Sequence, residues 1–188
     1  MSPAHRFEES VLCGDRLAPI TSAFGFLEGD VERCVSEFAE WQRDINAQYG
    51  QDVVRRPVSG DLEGMLKALL PLTNAKEIRY LFVPTASQWT AYFSNGHDGS
   101  DAAPVSYMAG RLGARSVYIV ATPHTFRREG GRYRGRQGAV ILRVHSAEGV
   151  GKGERMRYIE LFNDTGKWEF RQGGDSLPFE QSERYKAK

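Results

Sequence analysis

The densest gathering of chemically able side chains lies in residues 89–101, WTAYFSNGHDGSD. Asn95, His97, Asp98, Ser100 and Asp101 put oxygen and nitrogen donors into one short stretch. Such donors suit Ca²⁺ or Mg²⁺, but the D-x-[DN]-x-[DN]-G pattern with its closing Glu is absent. Zinc needs more ligands than His97 and Asp98 supply. A His97/Asp98 general acid–base pair is available in principle, because histidine titrates near neutrality. Against these readings, Asn-Gly and Asp-Gly are turn-forming pairs, and Ser100 or Asp101 can cap a following helix. The stretch therefore reads first as strand end, turn and helix cap. Second, it reads as a contact loop for a partner or ligand, with Trp89 or Tyr92 as an aromatic anchor.

The other unusual stretch is 127–136, RREGGRYRGR. Arg127, Arg128, Arg132, Arg134 and Arg136 surround Tyr133 and three glycines, with Glu129 as the opposing charge. Arginine interleaved with an aromatic suits RNA, phosphate or an acidic protein surface, set against a solvated loop between strands. Partner contact at the two stretches is assigned to Trp89, Tyr92, Asn95, His97, Asp98, Asp101, Arg128, Arg132, Tyr133 and Arg134. No GxSxG elbow, GxGxxG turn or P-loop occurs, and Cys13 and Cys34 form no CxxC. No catalytic residue, metal ligand or cofactor is assigned.

Bulk properties narrow the classes. A chain of 188 residues, 40% hydrophobic and 26% charged, suits one folded domain over 1–188, with 1–10 and 180–188 as its frayed ends. The net charge of +1 argues against a dedicated nucleic-acid binder. It hides an asymmetry: residues 1–94 carry 9 Lys/Arg against 13 Asp/Glu, and residues 95–188 carry 16 against 11. The polar N-terminus lacks a signal-peptide core and no apolar run is long enough to span a bilayer, so a cytoplasmic setting is expected.

These stretches must be held by regular elements. Val31, Cys34, Val35, Phe38, Trp41, Ile45 and Tyr49 form the stripe of a helix over 31–49, capped by Asp30 and stopped by Gly50. Leu62, Met65, Leu66, Leu69 and Leu70 mark a second helix over 61–70, ended by Pro71. Phe24, Phe26 and Leu27 are expected to dock on the body just ahead of the first helix. Strands are expected at 78–83, 89–93, 116–121, 139–144, 155–162 and 167–171. The break between the first two suits a hairpin, with a crossover left open. Val105, Met108, Ala109 and Leu112 define a third helix over 101–112, with Pro104 in its first turn. With strands 89–93 and 116–121 it reads as a βαβ unit and a parallel pair. That would put the 95–101 loop at a strand's C-terminal end beside a helix N-terminus, a place favoured by ligands and anions. A glycine-rich segment is expected over 149–153, and a partial helix over 178–185.

The order of elements, with WTAYFSNGHDGSD and the later LFNDTGKWEFRQGG at 161–174, resembles small uncharacterised bacterial α/β proteins, some associated with toxin–immunity loci. The resemblance defines no catalytic residues. Many immunity proteins against nucleases are strongly acidic, and this chain departs from that pattern.

The expectation is a single α/β (α+β) domain with a mixed, mostly antiparallel sheet of about six strands, two N-terminal helices and one βαβ unit. The function expected first is non-enzymatic binding of another protein, in concrete form a bacterial immunity protein occluding a toxin. Two alternatives stay open: a small enzyme or ligand-binding domain at 95–101, and an RNA-associated protein using 127–136.

Overall fold

A computed structural model describes residues 11–73, 77–147, 155–164 and 166–181, apart from the side chain of Tyr133. The two expected frayed ends lie mostly outside these residues, as do the 149–153 segment and the later half of the 178–185 helix.

Helix α1, Val31–Asn46, starts at the expected cap: Asp30 is extended and its carboxylate accepts from the Arg33 N–H at 2.9 Å. A 3₁₀ turn, Ala47–Tyr49, continues it to Gly50, which closes it in the left-handed conformation. Helix α2, Leu62–Lys67, is capped by Asp61 accepting from Gly64 N–H at 2.8 Å. It stops short of the expected Leu70: the Leu69 and Leu70 N–H groups turn to Leu66 O and Lys67 O, three residues back, in a tightened last turn. Helix α3, Ala102–Leu112, runs from an Asp101 cap to left-handed Gly113. No helix among the described residues is long and apolar enough to cross a membrane.

The strands are β1 (Ala23–Glu28), β2 (Tyr80–Pro84), β3 (Trp89–Ser94), β4 (Ser116–Thr122), β5 (Arg127–Glu129), β6 (Arg132–Arg134), β7 (Ala139–His145), β8 (Arg155–Phe162) and β9 (Glu169–Gly174). Seven form one sheet in the order β2-β3-β1-β4-β7-β8-β9, and every neighbouring pair is antiparallel. This sheet corrects the sequence reading in three places. The count is seven rather than about six, because 23–28 is a central strand and not a docked segment. The sheet is antiparallel throughout, not mixed. Strands β3 and β4 run in the same direction but do not pair, since β1 lies between them with Gly25 opposite both Tyr92 and Tyr118. The βαβ connection therefore steps over one strand. Glycine at 25 lets α3 lie close on that strand: a Cβ there would stand 2.5 Å from Val105 Cγ2.

Side chains alternate across a strand, so the register sorts the whole sheet into two faces. On the helix side, Ala23, Leu27, Tyr92 and Tyr118 bury against Cys34 and Phe38 of α1 and Val105, Met108 and Leu112 of α3. On the other side, Leu81, Ala91 and Phe93 bury against Ile20, Leu66 and Leu69, with Phe24 and Phe26 packed against them. The β2-β3-β1 half is thus a three-layer sandwich. The β7-β8-β9 half carries many more exposed side chains.

The stretch expected as a loop between β4 and β7 folds as a separate two-stranded ribbon, β5-β6. Gly130 and Gly131 have φ of 57° and 80°, the two positive values that a tight two-residue hairpin turn requires. Strand β9 begins two residues later than expected, and Trp168 just before it packs its ring near His124, 5.6 Å between centroids.

Candidate functional site

The 95–101 loop is consumed by structure. Asn95 is buried; its carbonyl oxygen accepts from Arg79 N–H at 2.8 Å, and its amide donates to Pro71 O at 2.9 Å and Glu77 O at 3.3 Å. It staples the chain after α2 to the end of β3. The buried Ser100 hydroxyl accepts from Ser94 N–H at 2.8 Å, and the Ser100 carbonyl accepts from Tyr118 Oη at 2.9 Å. Asp101 caps α3 through Ala103 N–H at 3.1 Å. The helix N-terminus expected to attract an anion is therefore capped by the chain's own carboxylate. At the tip His97 and Asp98 face water, as does Asp101 at the helix cap. Among the described residues no three His, Cys, Asp or Glu side chains converge as a metal site would need.

The two aromatics of the stretch part company. Tyr92 is a core residue, not a surface anchor. Burial pushes its phenol well above its ordinary range, with Tyr80, Asp101 and Tyr118 adding to the shift, and among the described residues its hydroxyl has no hydrogen-bond partner. Trp89 is half-buried under Arg115, whose guanidinium stands 5.6 Å from the ring centre and pairs with Glu28 at 2.7 Å. With Phe26, Thr85, Ser87 and Val117, Trp89 lines a shallow depression of about 320 Å³ on the side away from α1 and α3.

The arginine stretch is also divided. Arg136 is structural: it pairs with Asp15 and donates to Ser22 Oγ at 3.1 Å, anchoring the root of the ribbon to the N-terminal segment. Thr125 N–H donates to Arg136 O at 2.9 Å across that root. Beyond it, Arg127, Arg128, Arg132 and Arg134 are exposed.

A further apolar surface involves neither stretch directly. On the side of the sheet away from α1 and α3, the register aligns Ile119, Leu142 and Ile159 in one row and Ala121, Val140, Leu161 and Phe170 in the next. Trp168 follows beside Gly138, where a Cβ would stand 2.5 Å from the indole. Val140 is 43% exposed, Leu161 37%, Phe170 41% and Trp168 50%. An aromatic side chain presents on the order of 150–250 Å², so these four alone leave roughly 300 Å² of apolar surface in water. That is the scale of the largest patch on an ordinary monomer, which often marks a functional surface.

The end of this face nearest Arg157 is closed by residues 175–181. Glu180 brings its carboxylate to Arg157, 2.6 Å away, and both side chains are almost completely shielded. Arg157 also donates to the carbonyls of Gly173 and Gly174 and to Gln172 Oε1. The Arg157 hydrogen bonds hold the Glu180 carboxyl below its ordinary range.

The opposite side of the same strands is polar and paired with itself. Glu160 lies between Arg143 at 2.7 Å and Arg155 at 3.7 Å. Arg143, Arg155 and Arg171 stack over Tyr118, Tyr158 and Phe162. Buried His145 sits beside Ser116 Oγ at 3.3 Å; burial above all, then Arg155 and Arg143, pushes it down to about 4.

The residues missed in the sequence are thus Val140, Leu161, Phe170 and Trp168. One signal was present: Val140, Leu142 and Val144 fall on one side of the 139–144 strand, and the helices among the described residues do not cover both faces of so wide a sheet. Comparisons with protein-family models, with curated proteins and with solved structures find no match for this chain.

Proposed function

We propose that the chain is a non-enzymatic protein-binding domain that docks a partner polypeptide on the bare side of β4, β7, β8 and β9. The apolar face running from Ile119 through Val140 and Leu161 to Trp168 carries this reading. A sheet face that is apolar across four strands and open to water gains by being covered. The rival reading, an enzyme or ligand site at 95–101, is weakened because Asn95, Ser100 and Asp101 already spend their polar atoms on backbone partners. The free cysteines Cys13 and Cys34 fit a reducing cytoplasmic setting.

In the concrete version the partner is a bacterial toxin, and docking occludes it. The test is whether a toxin-like reading frame neighbours the gene and, if one does, whether a host expressing it is protected by wild type, by Leu161→Lys and by Val140→Lys. Both sites are exposed, so the variants should melt close to wild type yet lose protection. Full protection by both variants would sink the docking reading, and no protection by wild type would sink the immunity version of it.

A further inference from the structure

The bare face is too small to work alone. The roughly 300 Å² that its four most exposed side chains present is well under the ~800 Å² per partner of a standard interface, so neighbouring surface must contribute, and its chemistry constrains the partner. The β5-β6 ribbon leaves the sheet beside Trp168: its root lies between His124, whose ring packs on Trp168, and Gly138, whose N–H donates to His124 Nδ1 at 3.1 Å. Along the ribbon, Arg127 lies directly opposite Arg134 and Glu129 opposite Arg132, which sets these four side chains on one side. Like charges placed directly opposite across a ladder are destabilising. Glu129 is the one carboxylate within this group, and its Oε2 stands 3.8 Å from Nε of both Arg127 and Arg134. That is too long for a hydrogen bond, so the carboxylate offsets the charge without engaging the guanidinium forks.

We propose that the partner presents an acidic segment next to its apolar anchors, and that the Arg127, Arg132 and Arg134 side of the ribbon binds it while the anchors cover Val140, Leu161 and Trp168. This rests on the reading of the bare face as a docking surface. Carboxylates match the arginine forks in charge and in two-pronged geometry. An acidic polypeptide fits better than RNA. The face at the ribbon's root mixes Val140 and Leu161 with Phe170 and Trp168, whereas single-stranded nucleic acid is held by successive aromatic platforms in a basic groove, and the chain's net charge is only +1.

The probe is a display library of random-sequence peptides selected on the immobilised full chain, in parallel with a random single-stranded RNA pool. Wild type should enrich peptides that combine acidic runs with Leu, Phe or Trp. Their affinity should fall as salt rises, and should drop on the order of tenfold or more with the double charge reversal R127E/R134E. Selection on R127E/R134E should keep the apolar preference and lose the acidic one. Enrichment of apolar peptides without an acidic bias, or binding indifferent to R127E/R134E, overturns this inference and leaves the docking face standing. Peptides whose binding is unchanged by both Leu161→Lys and Trp168→Lys overturn the docking face itself. Enrichment of RNA in place of peptides, or of neither, overturns both. Thermal melts of each variant separate loss of contact from loss of fold.

Discussion

The two halves of the sheet solve opposite problems with the same antiparallel ladder. Around β2, β3 and β1 both faces are covered, and the side chains are Phe, Leu, Tyr and Met in direct contact. Around β7, β8 and β9 one face is apolar and bare, while the other holds Arg143, Glu160, Arg155 and Tyr158 in charge pairs and ring contacts. The first half stores the stability of the domain and the second exposes its surface chemistry. Covering both halves equally would give a firmer fold with less to offer a partner.

The sharpest way to break that contrast is to truncate equivalent side chains in each half. Phe38→Ala empties the centre of an aromatic cluster with Trp41, Tyr80, Phe82 and Tyr92. It should cost about 3–5 kcal/mol. Leu161→Ala, a residue 37% exposed, should cost well under that, about 1 kcal/mol. Urea titrations of the two variants measure the difference, and equal losses would abolish the distinction.

Next in size is the buried charge pair, the exception within the open half. Glu180→Ala strands Arg157, so it should cost about 3 kcal/mol. The figure sits at the low end because Arg157 keeps Gly173 O, Gly174 O and Gln172 Oε1 as acceptors. A double change to apolar residues, R157M/E180L, should recover most of the loss. Because the Glu180 pKa is lowered in the fold, its stabilisation is complete above the ordinary carboxylate range. It disappears as pH falls through the lower folded value.

Parts of this contrast were legible in the sequence and parts were not. Caps and stripes located α1 and α3, because Asp30, Asp101 and Gly113 act locally. Strand β1 was hidden because Phe24-Gly25-Phe26-Leu27 is apolar on both sides and Gly25 looks like punctuation; its reason is a contact with Val105, eighty residues away. Asn95 looked like surface chemistry because its partners, Pro71, Glu77 and Arg79, come from another segment. The ribbon was readable in hindsight, since Gly-Gly between short polar runs is a hairpin signal. The bare face could not be read from any one strand, because exposure depends on how many layers the whole chain supplies.

A third effect separates the halves by pH. His145 is neutral in the fold, with its pKa lowered from 6.5 to about 4 by burial first and then by Arg155 and Arg143. The unfolded chain takes up this proton at a higher pH than the fold does. Stability is therefore complete above about 6.5, falls between 6.5 and 4, and gains no further slope from this group below that. The span amounts to about 3 kcal/mol. His145→Gln should flatten this part of the pH–stability curve while retaining a hydrogen-bonding partner for Ser116. An unchanged slope would place the acid sensitivity elsewhere.

The smallest expected effect is the most telling. Val140→Thr and Leu161→Thr keep strand propensity and change only what the bare face shows to water. At these partly exposed sites such changes shift stability by about 0.5–1 kcal/mol. If the face is kept apolar for a partner, these variants should melt like wild type, remain monodisperse at higher concentration in light scattering, and lose the peptides selected by the wild-type chain. If the same residues instead complete the core from its open side, the pair should lower stability like Phe38→Ala, and the two halves would differ only in degree.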